Sequence, residues 1–212
     1  MVASPQAVAP RMAIEVILSV FALDLAVMRV LMIPGRDPRG SARWSLPKAR
    51  VGLDEPVDDA GPRGVTECSG LDLQPKTIHL VGIFGDPARN PGGREVAVAQ
   101  GAVWPGPPPE LSGPAEWVDP AGLEGIAGDH SAIIDAAMRW LVEGIRRGPL
   151  GLELLGGEFG IDDVDRLLGS LGGGPARARA WRERLEDEGQ IVRLFGRRAR
   201  FRPATTSSTR PG

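Results

Sequence analysis

A chain of 212 residues allows one large domain or two small ones. Its formal net charge of −2 excludes a chain-wide basic surface, so nucleic-acid binding would need a local patch. The single cysteine, Cys68, excludes an internal disulfide framework and fits a reducing compartment, the cytoplasm. Lysine is confined to Lys48 and Lys76, so phosphate contacts fall to arginines.

Residues 1–12 form an Ala/Pro-rich leader, expected to be disordered. Ile14–Ile33 is apolar enough to suggest a membrane span, but Glu15, Asp24 and Arg29 interrupt it. A charge at a helix centre costs about 2.5–3.5 kcal/mol on insertion. The run therefore predicts two buried strands, over about 16–23 and 27–33 with a turn at Asp24, and no membrane anchor. Pro34–Arg43, PGRDPRGSAR, is a loop.

Trp44–Leu71 reads WSLPKARVGLDEPVDDAGPRGVTECSGL. It resembles a Nudix box, G-x5-E-x7-R-E-U-x-E-E-x-G-U with U apolar, behind the usual W-x-L-P lead-in. Aligned without a gap, Ala49 stands at the glycine, Glu55 at the first acid and Arg63 at the arginine. Gly64 and Cys68 replace two of the three helix glutamates, and Glu67 survives. Positions 64, 67 and 68 share one helix face. In that family three carboxylates there hold Mg2+ against a diphosphate. Glycine offers no ligand, and a thiol is too soft for that cation. The box is therefore expected to hold no metal, to need no cofactor and to carry no catalytic residue. Glu55 and Arg63 are expected to pair and brace the box, with Glu67 at a ligand cleft. Pro62 is compatible with a helix if it lies in the first turn.

Leu73–Gly82 and Glu95–Val103 are predicted strands. The loop between them, Phe84–Arg94 (FGDPARNPGGR), is dense in turn formers. It resembles the F-G-D-P-x-R-D-P-R-G-R loop of ADP-ribose pyrophosphatase-like Nudix domains. Arg89 and Arg94 match two of its arginines, while Asn90 and Gly93 depart. The resemblance implies phosphate contacts from Arg94 first and Arg89 second; a solvated turn is the alternative. After a Pro-rich connection, Ala115–Val118 is a strand and Asp129–Arg147 a helix with an apolar stripe from Ile133 to Ile145. His130 is expected to orient the helix start. His79 has no partner cluster and receives no role.

Gly148–Pro149 is expected to divide a first domain, 13–147, from a second unit, 149–203, with a disordered tail over 204–212. Leu150–Leu155 is an apolar turn, and Ile161–Leu171 and Ala176–Glu188 are helices around a Gly-Gly-Gly-Pro turn. Ile191–Phe195 and Ala199–Arg202 form a hairpin. Helix, turn, helix and basic hairpin is the order of a winged helix. Arg177, Arg179, Arg182, Arg184, Arg197 and Arg198 are the candidate DNA contacts on the second helix and the hairpin tip. The acids of that stretch are clustered at Glu183 and Glu186-Asp187-Glu188. A solvated arginine-rich tail is the bland alternative.

The whole order resembles the Nudix-related transcriptional regulators of the NrtR type. Arg179, Trp181, Arg182, Arg184 and Leu185 fit their R-N-F-R-R-K-L helix, with Ala180 and Glu183 departing. Ala199, Phe201 and Arg202 meet the P-A-x-L-Y-R wing. The resemblance implies an α/β fold, a Nudix-like α/β/α sandwich with a mixed sheet followed by a small winged helix-turn-helix. It also implies a homodimeric repressor of double-stranded DNA, sensing ADP-ribose or a related NAD metabolite. Two other readings stay open: a Nudix hydrolase using acids outside the box, and a nucleotide-binding interaction module without DNA.

Overall fold

The most apolar stretch of the chain becomes the central strand. In the computed structural model, which describes residues 12–36, 42–74, 77–194 and 199–204, β1 (Ala13–Asp24) is buried without a break from Glu15 to Ala22. A strand covered on both faces has no need to alternate, so its sequence is a continuous apolar run. It pairs parallel with β6 (Glu95–Val103) and antiparallel with β2 (Val27–Arg36) and the short β4 (Lys48–Arg50). β2 also carries β3 (Ala42–Ser45) and β7 (Glu116–Val118), and β5 (His79–Phe84) lies outside β6. The turn falls at Leu25–Ala26, one residue beyond the expected Asp24, with Leu25 in the left-handed region at φ 55°.

Alternation along β1 then assigns the two helices to opposite faces. Leu18 and Val20 cluster with Val65, Cys68 and Leu71 at and beyond the end of α1 (Val57–Ser69). Ile17 and Phe21 cluster with Ile133, Ala137, Leu141 and Ile145 of α2 (His130–Arg147). The result is the three-layer mixed α/β arrangement that the sequence predicts. Strand geometry begins only at His79, because Leu73 turns inward to the α1 cluster instead of continuing a strand. Pro62 is the sixth residue of α1 rather than part of its first turn.

The chain then continues through α3 (Pro149–Leu155), β8 (Phe159–Gly160), α4 (Ile161–Gly169), α5 (Pro175–Asp187), β9 (Ile191–Leu194) and β10 (Arg200–Pro203). Leu150–Leu155 is thus helix, not turn: Pro149 occupies its first position, where the missing N–H costs nothing. The expected hairpin gains a third strand, giving the antiparallel order β8-β10-β9. Leu167, Trp181, Leu185 and Phe201 form its core, continuous with Leu141 and Ile145 of α2. Ala204 donates to the Gln190 carbonyl at 2.8 Å, so the ordered chain reaches into the segment expected as tail. The rest of that tail, the leader up to Arg11, and Arg197 and Arg198 lie outside the described residues.

Candidate ligand cleft and nucleic-acid interface

The box region is built to be rigid. Arg63 donates to both Glu55 carboxylate oxygens at 2.7 and 2.9 Å, to Glu67 at 3.0 Å, and to the Arg50 carbonyl at 2.9 Å. One guanidinium therefore ties α1 to the loop before it and to β4. The Arg63 hydrogen bonds, with help from the Gly52 N–H, hold the Glu55 carboxyl down at about 2. Glu67 faces Arg63 on the exposed surface and does not line the cleft described below.

The other two positions of the helix face do not fit a divalent cation. A Cβ on Gly64 would stand 2.9 Å from the Lys48 carbonyl and 3.1 Å from the Ala49 methyl. Strand β4 thus occupies the space from which a side chain at 64 would reach out. The Ala49 methyl, at the glycine position of the box pattern, crowds the same space. Cys68 is buried, its Sγ 3.4 Å from the Val65 carbonyl, and burial pushes the thiol's pKa up. A protonated, inward thiol is not a ligand. Among the described residues, no group of three or more His, Cys, Asp or Glu is placed to hold a metal ion.

A charged cleft of about 270 Å³ opens between β4, Arg89 and Asn90 of the β5–β6 loop, and the start of α2. Its floor is an ion-pair network. Arg89, 4% exposed, makes a bidentate pair with Asp129 at 2.9 and 3.1 Å. It also lies 3.5 Å from Glu15 and 3.8 Å from Glu95. Burial works against its charge, but the Asp129 hydrogen bonds and the surrounding carboxylates outweigh it and raise its pKa. Lys48 pairs with Glu15 at 2.9 Å and Arg50 with Glu95 at 3.2 Å, and Asn90 also donates to Glu95. On the wall, His130 Nδ1 accepts the Leu46 N–H at 2.9 Å. Burial first, then the Lys48 charge, lowers its pKa to about 4, so the ring is neutral at pH 7.

Of the two loop arginines, the structure places Arg89 in the cleft, already committed to three carboxylates. Arg94 donates to the Gly85 carbonyl at 2.9 Å, closing the loop's own base outside the cleft lining. The exposed cations of the cleft are ones that sequence reading missed. Lys48 and Arg50 are 45% and 68% exposed and stand on one face of β4. Their alternation in Lys48-Ala49-Arg50, directly after Trp44-Ser45-Leu46-Pro47, was the available signal.

The second unit sorts its arginines by the same accounting. Arg177 and Arg179 are exposed on the first half of α5, with no ion-pair partner among the described residues. Arg182 is 17% exposed, sits 5.4 Å over the Phe201 ring, and its Nε finds no hydrogen-bond partner among the described residues. Arg184 reaches away, to the Arg146 carbonyl at 2.6 Å and to Glu188 at 2.9 Å. The structure thus gives Arg182 and Arg184 packing and docking contacts in place of the expected open approach to DNA. Arg193 and Arg202 are exposed on β9 and β10, and Arg200, also exposed, lies 3.6 Å from the Glu158 carboxylate.

No protein-family model matches the chain, and no curated protein does. Solved structures match over most of its length. A MutT/nudix family protein from Enterococcus faecalis superposes with a TM-score of 0.77 at 20% identity, over 95% of this chain and 89% of its own. Shewanella oneidensis NrtR complexed with a 27mer DNA gives 0.71 at 17% identity, over 91% and 93%. The NUDIX domain of Shewanella oneidensis NrtR complexed with ADP ribose gives 0.55 at 20% identity, over 66% and 94%. The chain therefore has a Nudix-related α/β fold.

Proposed function

We propose that this protein is a DNA-binding regulator whose Nudix-like domain recognises a phosphorylated ligand without cleaving it. The observation that carries the reading is the closed metal face: β4 fills the space of a ligand at Gly64 and Cys68 points inward, beside an intact charged cleft. A pocket that keeps cations and loses its metal acids is suited to binding rather than hydrolysis. ADP-ribose, bound by one similar domain, is the first ligand to try. Lys48 and Arg50 are its first phosphate contacts in this reading, because they are far more exposed than Arg89, which a phosphate reaches only by displacing a carboxylate.

The DNA side rests on α5. Helices α3, α4 and α5 with the sheet β8-β10-β9 follow winged-helix order, which makes α5 the groove helix. Its exposed stripe is Ala176, Arg179, Ala180 and Glu183, with Arg177 beside it. The alanines permit close approach, Arg179 is the base reader, and Arg177 and the β9–β10 arginines hold phosphates. The structurally similar NrtR has been solved complexed with a 27mer DNA.

The test is selection of bound duplexes from a random pool, followed by titration of the enriched sequence. Arg179→Ala is expected to weaken the selected site by about 1–3 kcal/mol, and Arg177→Ala to lower the salt slope by about one. Enrichment of nothing, together with metal-dependent release of AMP from ADP-ribose, would return the hydrolase reading.

A further inference from the structure

One helix touches both sites. At its beginning, Asp129 is the N-cap residue of α2 and holds Arg89 bidentately, while His130 is fixed by the Leu46 N–H. Its other end lies about 27 Å away by helical rise. There the last carbonyls, which no helix can satisfy internally, are taken by α5. Trp181 Nε1 donates to the Ile145 carbonyl and Arg184 Nη2 to the Arg146 carbonyl, each at 2.6 Å. The joint has no slack. A Cβ on Gly148 would stand 2.7 Å from both Leu185 and Gln190, and one on Gly151 2.8 Å from Trp181. The helix contains no proline that would kink it between the two ends.

The cleft supplies a reason for it to move. Arg89 is saturated by Asp129, Glu15 and Glu95, so an incoming phosphate gains it only by replacing a carboxylate. Glu15 and Glu95 keep Lys48 and Arg50 as second partners, whereas Asp129 is the most exposed of the three and rests on Arg89. Asp129 is the carboxylate that yields.

We propose that α2 couples the two sites: a phosphorylated ligand that draws Arg89 from Asp129 frees the start of α2, and Trp181 and Arg184 deliver the shift to α5. This deepens the regulator reading and rests on it for the identity of the two sites. A ligand shifts such an equilibrium only by binding the two positions of the helix unequally.

Amide hydrogen exchange on the full chain tests the joint with neither ligand nor duplex present, so a failure of the regulator reading leaves this result standing. Asp129→Asn is expected to speed exchange across 175–187 at least fivefold, the lower end of typical coupling. Asp135→Asn, the same charge change at an exposed position of α2, should leave α5 as it was. Cutting the far end with Arg184→Ala should in turn speed exchange in the first turn of α2, because coupling is reciprocal. The proposal is overturned if Asp129→Asn disturbs only the cleft and α2's first turn, or if Arg184→Ala disturbs only α5. Should Asp129→Asn fail to fold, Arg184→Ala decides alone. With duplex and ADP-ribose added, the ratio of DNA affinities without and with ligand should fall toward one in Arg184→Ala. An undiminished ratio also refutes the path.

Discussion

Replacing Arg89 by alanine measures how much its ion pairs hold the cleft together. Removing one member of a buried ion pair costs about 3–5 kcal/mol, because the remaining charge is left unpaired. Here Glu15 keeps Lys48 at 2.9 Å and Glu95 keeps Arg50 at 3.2 Å, so Asp129 carries most of the loss. The lower end, about 3 kcal/mol, is expected. For a protein of this size that lowers Tm by about 6–12 °C. The loss should also depend on pH. Burial favours the protonated Asp129 carboxyl, but Arg89 reverses this and holds its pKa below the ordinary value. In the parent, that contribution is present above the ordinary aspartate range and is lost as pH falls through the lowered folded value. In Arg89→Ala the same burial raises the carboxyl, so the variant is most penalised at neutral pH and the gap to the parent narrows on acidification. Thermal melts of both proteins from neutral pH down through the ordinary aspartate range, about 4, measure this. A variant that melts with the parent across this range would refute the reasoning.

Three further outcomes follow from the same contacts. Gly64→Ala gains about 0.8–1.0 kcal/mol of helix propensity but overpacks against Lys48 and Ala49 at a cost of about 1–3 kcal/mol. It should lower the urea midpoint, and Ala49→Gly in the same chain should recover part of the loss; stabilisation by Gly64→Ala alone contradicts the packing argument. His130 has a folded pKa of about 4 against an ordinary 6.5, so the unfolded chain takes up the proton first. Stability should therefore fall by about 3 kcal/mol as pH drops from 6.5 to 4, and His130→Asn should flatten that slope in denaturant titrations. Arg182→Ala should lower the melting temperature through lost packing on Phe201, whereas Arg179→Ala should leave it unchanged while weakening DNA.

Elements with a clear period were legible in the sequence. The apolar run of β1 and the stripe of α2 declare burial on two faces and on one, and both form where they are expected. The Glu55–Arg63 pair was legible from box spacing, since the loop and helix fix their separation. What the sequence could not reveal is which charges find each other across the fold. Arg89 meets Asp129 40 residues away, and Arg184 meets Arg146 38 residues back. An arginine read along the chain is a free cation; in the structure its availability depends on partners from other elements. That is why Arg94, Arg182 and Arg184 read as ligand or DNA contacts, and why Lys48 and Arg50 were passed over. Two-residue β8 was invisible because so short a strand carries no pattern.

The central claim is that one chain binds a phosphorylated ligand and duplex DNA at coupled sites. Calorimetric titration of ADP-ribose into the protein, alone and then saturated with its selected duplex, tests this most directly. Linkage requires the duplex to weaken ADP-ribose by the same factor by which ADP-ribose weakens the duplex, about 5–150-fold for a typical coupling of 1–3 kcal/mol. Equal ADP-ribose affinity in the presence and absence of bound duplex would contradict the account.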